Sequence, residues 1–192
     1  MWDDLVKVDQ DIFRFLNNLW IGEFEQFWLF VTQIENWIPL YLFFFFLLFR
    51  AYKKPVNFAA ILSVLAVAGT TLTLTNLVKN QIARLRPNNE PLLVDSIRFY
   101  DMPENFSFWS GHSAVSCSVA TFTVILLSQK MDSKWIYLIY IWPLMFALSR
   151  IFVGVHYPAD VIVGILVGMF LGYAFAKAFF FTVNRLNNYL SL

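Results

Sequence analysis

Both histidines of this 192-residue chain stand next to residues that could make them reactive. In SRIFVGVHYPAD, residues 149–160, Arg150, His156 and Asp160 lie close together. Such spacing lets the carboxylate hold one imidazole nitrogen while the other faces a substrate. In FWSGHSAVS, residues 108–116, Ser110 suits a helix N-cap, Gly111 admits close approach to the backbone, and His112 follows in the first turn. Free amides and the positive end of the helix dipole make that turn an anion site, where His112 could exchange a proton. KNQIARLRP, residues 79–87, adds Lys79 and Arg86. Being seven apart, they share one face if their helix runs on to Arg86. Arg84 turns about 140° away and is expected to snorkel toward headgroups. Each cluster has an ordinary reading too: snorkelling cations, a simple cap, a structural ion pair. Taken together they supply fixed positive charge, a nucleophile, its orienting acid and a proton donor, the parts of a phosphoryl-transfer site.

The elements that must position these groups are apolar. Hydrophobic residues make up 59% of the chain and charged residues 14%, against about 25% charged in soluble domains. Five stretches approach the roughly 20 apolar residues that cross a hydrocarbon core. They cover about 28–49, 58–79, 111–128, 134–151 and 158–181, the first interrupted by Thr32, Gln33, Glu35 and Asn36. Residues 2–20 differ. Leu5, Val8, Ile12, Leu16 and Leu19 recur at helical steps, with Asp4, Asp9, Asp11 and Arg14 between them. That pattern predicts an amphipathic helix, either lying in the membrane interface or packed on the bundle. The expected fold is all-α: one integral membrane bundle spanning 1–192, of about five transmembrane helices plus an N-terminal amphipathic interfacial helix over 1–20. Cys117 lies within a span and is expected to pack there. The N-terminal MWDD is acidic where a secretory leader is basic, which predicts no cleavable signal. A formal net charge of +1 gives no case for nucleic acid.

Charge also sets direction. If spans alternate, Arg50, Lys53, Lys54, Lys130, Lys134, Lys177 and Arg185 fall on one side, accompanied only by Asp132. The positive-inside rule makes that side cytoplasmic, with the N-terminus outside and the C-terminus inside. The same alternation brings the end of span two, the start of span three and the connection between spans four and five to the opposite face. All three clusters then meet there.

At these residues the sequence resembles the type-2 phosphatidic acid phosphatase family, membrane lipid phosphatases related to vanadium haloperoxidases. Lys79, Arg86 and Pro87 match its first motif; Ser110, Gly111 and His112 its second; Ser149, Arg150, His156 and Asp160 its third. Trp109 stands where the second motif usually has proline. The resemblance implies that Asp160 orients His156, that His156 attacks phosphorus to form a phosphohistidine, and that His112 protonates the leaving oxygen and then activates water. Lys79, Arg86, Arg150, Ser110 and the Gly111 amide would hold the phosphoryl oxygens, so phosphate or vanadate is an expected site ligand. No metal or other cofactor is implied, because fixed cations neutralise the developing charge.

Residues 88–109 form a connection longer than linkage needs, expected on the extracytoplasmic side near the site. Its Phe99, Tyr100, Met102, Phe106, Phe108 and Trp109 either touch acyl or prenyl chains or anchor the loop in the interface. Arg98 is a candidate second headgroup contact. The expected function is hydrolysis of a phosphorylated lipid at the outer face of a bacterial cytoplasmic membrane, with undecaprenyl (polyprenyl) diphosphate the first choice. Lipid A, phosphatidylglycerophosphate and phosphatidic acid are alternative substrates. Phosphotransfer to another acceptor, or carriage of a lipid phosphate without cleavage, are the alternative activities. No residue pattern points to an oligomeric state.

Overall fold

The computed structural model describes residues 2–19 and 24–190, excepting the side chains of residues 2 and 187–190. Among the described residues the chain forms helices and no strands: α1 (Trp2–Asn17), α2 (Glu25–Thr32), α3 (Ile38–Ala51), α4 (Val56–Ile82), α5 (Gly111–Ser128), α6 (Ile141–Phe152) and α7 (Pro158–Leu190). Five segments are long and apolar enough to cross a bilayer: Ile34–Ala51, Val56–Asn89, Gly111–Ser128, Lys134–Phe152 and Pro158–Leu186. The all-α membrane bundle expected from composition is therefore the fold.

Two boundaries differ from expectation. The first span does not begin near residue 28. α2 stops at Thr32, a 3-10 turn follows over Ile34–Trp37, and α3 starts at Ile38. Polar side chains cause the break. Asn36 Nδ2 donates to the Phe30 carbonyl at 2.7 Å and Trp37 Nε1 to that of Val31 at 2.8 Å, satisfying carbonyls that a continuing helix would have used. The second correction concerns α4, which ends at Ile82 and does not reach Arg86. Ala83 adopts a left-handed conformation (φ 51°) and donates its N–H to the Lys79 carbonyl at 2.9 Å, a recognised helix stop. Arg86 then sits in extended backbone, as a residue before proline prefers. Lys79 and Arg86 thus share no helix face; a chain reversal has to bring them together.

α5 runs through the middle of the bundle, and its small residues permit close neighbours. Against α4, Thr71 Oγ1 meets Ser118 Oγ at 3.1 Å. Against α7, Gly164, Gly168 and Gly172 repeat every four residues along one face. A Cβ on them would lie 2.6 Å from the Ser110 carbonyl oxygen, 2.2 Å from that of Ala114 and 2.5 Å from that of Ser118. Only glycine allows this backbone contact, the usual device where lipid provides no hydrophobic drive for helix pairing. Cys117 is buried in the same helix, as expected. Large apolar side chains such as Leu62, Leu65, Leu166 and Phe170 point outward, a pattern suited to lipid.

α1 packs on the bundle, the second of the two readings of its amphipathic pattern. Phe13 is fully buried with its ring 5.5 Å from that of Tyr157. Asn17 Nδ2 donates to the carbonyls of Arg98 and Ile151, both at 3.0 Å. Leu5, Val8, Ile12 and Phe15 remain as an exposed apolar stripe on its outer side.

Candidate active site

Helix ends build the site. The close α5–α7 contact sets the first turns of those helices side by side, and the Ser110 N–H donates to the Asp160 carbonyl at 2.9 Å. Ser110 caps α5: its Oγ accepts from the Ser113 N–H at 3.4 Å and from Ser113 Oγ at 2.9 Å. The ends of α4 and α6 close the other sides. Together they enclose a cavity of about 350 Å³ whose polar lining includes Lys79, Arg86, His112, Arg150 and His156, with Gly111 beside them. Ile34, Tyr41, Leu72, Val115 and Phe146 form its apolar wall.

His156 is almost completely buried at this cavity, and its hydrogen bonds fix its tautomer. Nε2 lies 3.2 Å from Arg86 Nη1. Guanidinium has no acceptor, so Nε2 must carry the lone pair and Nδ1 the proton. Nδ1 faces Asp160 Oδ2 at 3.4 Å. Burial pushes the His156 pKa well below the ordinary histidine range, and the nearby charges of Arg86, Lys79, Arg150 and Arg84 push it the same way. The imidazole is therefore neutral at pH 7, with its unprotonated Nε2 beside Arg86 at the cavity.

Asp160 is fully buried and densely held. Oδ2 accepts from Ser107 Oγ and from the Tyr157 N–H at 3.1 Å; Oδ1 accepts from Arg84 Nη1 at 2.7 Å. Arg84 was expected to reach lipid headgroups. Instead it bridges Asp160 to Asp9 and stacks on the Tyr157 ring at 3.9 Å, because the left-handed turn at Ala83 redirects the chain inward.

The connection 88–109 folds back over the cavity and supplies acceptors that hold its cations in place. Lys79 Nζ donates to the Phe106 carbonyl at 2.7 Å, and Arg86 Nε to that of Asn105 at 2.8 Å. Arg86 Nη1 also donates to the Val155 carbonyl at 2.8 Å. Arg150 donates to Thr32 Oγ1 and lies 3.5 Å from Asp101 Oδ2, while its buried Nε has no partner among the described residues. Backbone pairing fixes the loop itself, through Ser107 N to the Arg84 carbonyl at 2.8 Å and Tyr100 N to that of Val153 at 3.0 Å.

Of the residues singled out from sequence, Lys79, Arg86, Gly111, His112, Arg150 and His156 share the cavity, with Asp160 directly behind His156. Ser110 stands behind Gly111 as a cap. Arg98 does not join them: its side chain is exposed, and its backbone is held by Asn17. Trp109 is half-buried and donates Nε1–H to Thr75 Oγ1 at 2.9 Å, an inward bond in place of an interfacial anchor. The loop contributes Asp101, Pro103 and Asn105 to the lining, and none of its aromatic residues. Sequence reasoning missed Asp9, Thr32, Asn105 and Ser107. Their polarity within or beside apolar segments was the available signal, but nothing local pairs them with their partners.

The profile of the PAP2 superfamily matches residues 58–184. The chain belongs to the PAP2 superfamily. Among PAP2 relatives, the lipid A 4′-phosphatase of Porphyromonas gingivalis is 29% identical, covering 94% of this chain and 77% of its own length. The undecaprenyl-diphosphatase of Sulfolobus acidocaldarius is 27% identical over 85% of this chain and 74% of its own. The fold resembles the crystal structure of a transmembrane PAP2-type phosphatidylglycerolphosphate phosphatase from Bacillus subtilis. The TM-score is 0.70 at 23% identity, covering 94% of this chain and 88% of that one. The protein is thus an integral membrane lipid phosphatase of the PAP2 type.

Proposed function

We propose that this PAP2 protein hydrolyses a lipid phosphate monoester through a phosphohistidine at His156. The observation that carries this is the neutral His156 imidazole, backed by Asp160 and aimed into a cavity with Lys79, Arg86 and Arg150. In the first step the Nε2 lone pair forms a bond to phosphorus as the bond to the lipid oxygen breaks. His112, protonated once the anionic phosphate lies beside it, delivers that proton to the leaving oxygen, and the lipid leaves as an alcohol. Asp160 balances the positive charge that appears on the phosphorylated imidazole. In the second step His112 takes a proton from water, the water oxygen bonds to phosphorus, and the P–N bond breaks. Phosphate departs and His156 is restored. Lys79, Arg86, Arg150 and the Gly111 amide hold the phosphoryl oxygens and stabilise charge as it develops.

The substrate class follows from the rest of the lining. Beyond the three cations, the described walls add no fourth Lys or Arg, only neutral polar groups such as Asn76 and Asn105, the Asp101 carboxylate and apolar side chains, which suit one phosphoryl group followed by lipid better than two phosphoryl groups in series. The likeness to a lipid A 4′-phosphatase runs through 94% of the chain and also supports a phosphorylated saccharolipid. A polyprenyl diphosphate, the first choice from sequence, is the second reading, supported by the undecaprenyl-diphosphatase relative. Loop 88–109 and the cavity are proposed to face the extracytoplasmic side of a bacterial cytoplasmic membrane. The test offers purified protein a panel of lipid A, polyprenyl diphosphate, phosphatidylglycerophosphate and phosphatidic acid, and measures phosphate released. Highest kcat/KM on the lipid A monoester supports the reading, and highest on the diphosphate overturns the substrate assignment. Label appearing in an added alcohol or sugar, in place of free phosphate, would mark phosphotransfer. Acid-labile, base-stable phosphate trapped on His156 is expected in either case.

A further inference from the structure

Arg84 stands between two carboxylates. Nη1 donates to Asp160 Oδ1 and Nη2 to Asp9 Oδ2, both at 2.7 Å, using the planar fork that distinguishes arginine from lysine. Asp9 in turn accepts the Ala159 N–H through Oδ1 at 2.9 Å. One side chain of α1 is thereby tied both to the start of α7 and to the arginine that grips Asp160. Arg84 and Asp9 line a separate cavity of about 590 Å³ with Leu5 and Tyr157. The cavity that holds His156 and the three cations has neither of them in its described lining. They act on Asp160 without meeting the phosphate.

We infer that Asp9 and Arg84 are positioning residues of the reaction, with Asp9 taking up part of the Arg84 charge so that Asp160 keeps its own for His156. This rests on the reading of His156 as nucleophile and Asp160 as its partner. Asp9, Arg84 and Asp160 together carry one net negative charge, which is what a phosphorylated imidazole needs beside it. Without Asp9, the arginine charge falls on Asp160 alone, and the carboxylate has little left to polarise His156. Without Arg84, two carboxylates remain with no cation between them, and a proton binds more readily. The two losses therefore push the site in opposite directions. Other charged and titratable groups around His156, Asp160 and Arg84 are Lys79 from α4, Arg86 after it, Glu90 and Asp101 from the connection 88–109, His112 from α5, Arg150 from α6 and Tyr157 from the α6–α7 connection. All of them stay constant across the comparison.

The experiment measures kcat and kcat/KM against pH for purified full-length wild type, Asp9→Asn, Arg84→Gln and Arg84→Lys. It uses the lipid phosphate that wild type hydrolyses fastest, with His156→Ala as reference. Asp9→Asn is expected to move the acid limb of kcat/KM to lower pH by roughly one unit, and Arg84→Gln to move it up by roughly one to two units. Arg84→Lys should return the limb toward wild type. In Asp9→Asn, kcat should fall about tenfold while KM stays within about twofold, because the phosphate cradle is intact. Limbs that do not move, or move the same way, overturn the inference. Should Arg84→Gln not fold, Asp9→Asn decides alone, since its Oδ1 still accepts the Ala159 N–H; an Asp9→Asn protein that fails to fold would make the pair purely structural and also overturn it. An active His156→Ala protein would instead refute the nucleophile reading, a separate failure.

Discussion

As the proposed nucleophile, His156 has to be neutral before it attacks phosphorus and positively charged just afterwards, and its surroundings suit both moments. Burial and four nearby cationic side chains keep the proton off Nε2, while Asp160 waits on the Nδ1 side. Replacing His156 by alanine should lower phosphate release by several orders of magnitude, as for other nucleophiles acting within a unit. Asp160→Asn should cost roughly 10⁴-fold by analogy with the orienting carboxylate of a catalytic triad. Both are read on purified, folded protein, and near-normal turnover in either would refute the assigned role. The depressed His156 pKa also sets a pH dependence. Below about pH 6.5 an unfolded chain binds a proton at this side chain that the folded protein excludes. The His156 contribution to stability is therefore whole above that pH and is lost as pH falls further, toward the lowered folded pKa. Thermal melts in detergent at stepwise pH should show a slope below about 6.5 that flattens in His156→Ala.

At the level of elements, the α5–α7 contact positions everything else. Its glycine repeat keeps Ser110 against α7 and thereby sets His112 beside His156. A side chain at Gly168 has no room, since even a Cβ would lie 2.2 Å from the Ala114 carbonyl oxygen. Gly168→Leu should separate the helices and cost at least about 1–3 kcal/mol, the range for overpacking a tight interface. Activity should fall with it although the residue lies outside the described cavity lining. Ser110→Ala removes an N-cap and should cost about 1 kcal/mol, read as a lower melting temperature. A melting temperature unchanged in Gly168→Leu would mean that α7 does not pack on α5 as described.

Across the whole molecule, the polar end of the cavity lies among helix ends and its apolar wall among membrane-facing helices. The exposed Ile34 and Leu72 belong to that wall, which suits the proposed lipid substrate, since its chain could lie against them with its phosphate among the cations. The seven cations on the opposite connections give the expected orientation. A C-terminal reporter should be active only inside the cytoplasm, and a membrane-impermeant lipid phosphate should be hydrolysed by intact cells. Because Lys79, Arg86 and Arg150 supply the positive charge, hydrolysis should continue in excess chelator. Loss of activity on chelation, reversed by a divalent ion, would contradict that account.

Much of this protein could be read without coordinates, and the reason is physical. A bilayer demands long apolar helices, so span number follows from hydropathy; buried cations and histidines are costly there, so the few present mark the site. That Lys79, Arg86, His112, Arg150 and His156 would meet at one cavity, with Asp160 behind His156, was legible for that reason. The packing of helices was not legible in the same way. The left-handed turn at Ala83, which turns Arg84 inward, carries no apolar period to announce it, and the approach of α1 that brings Asp9 to meet Arg84 depends on a contact between residues 75 apart. Local spacing selected which residues could do chemistry, and long-range contacts between elements decided which side chains hold the others in place.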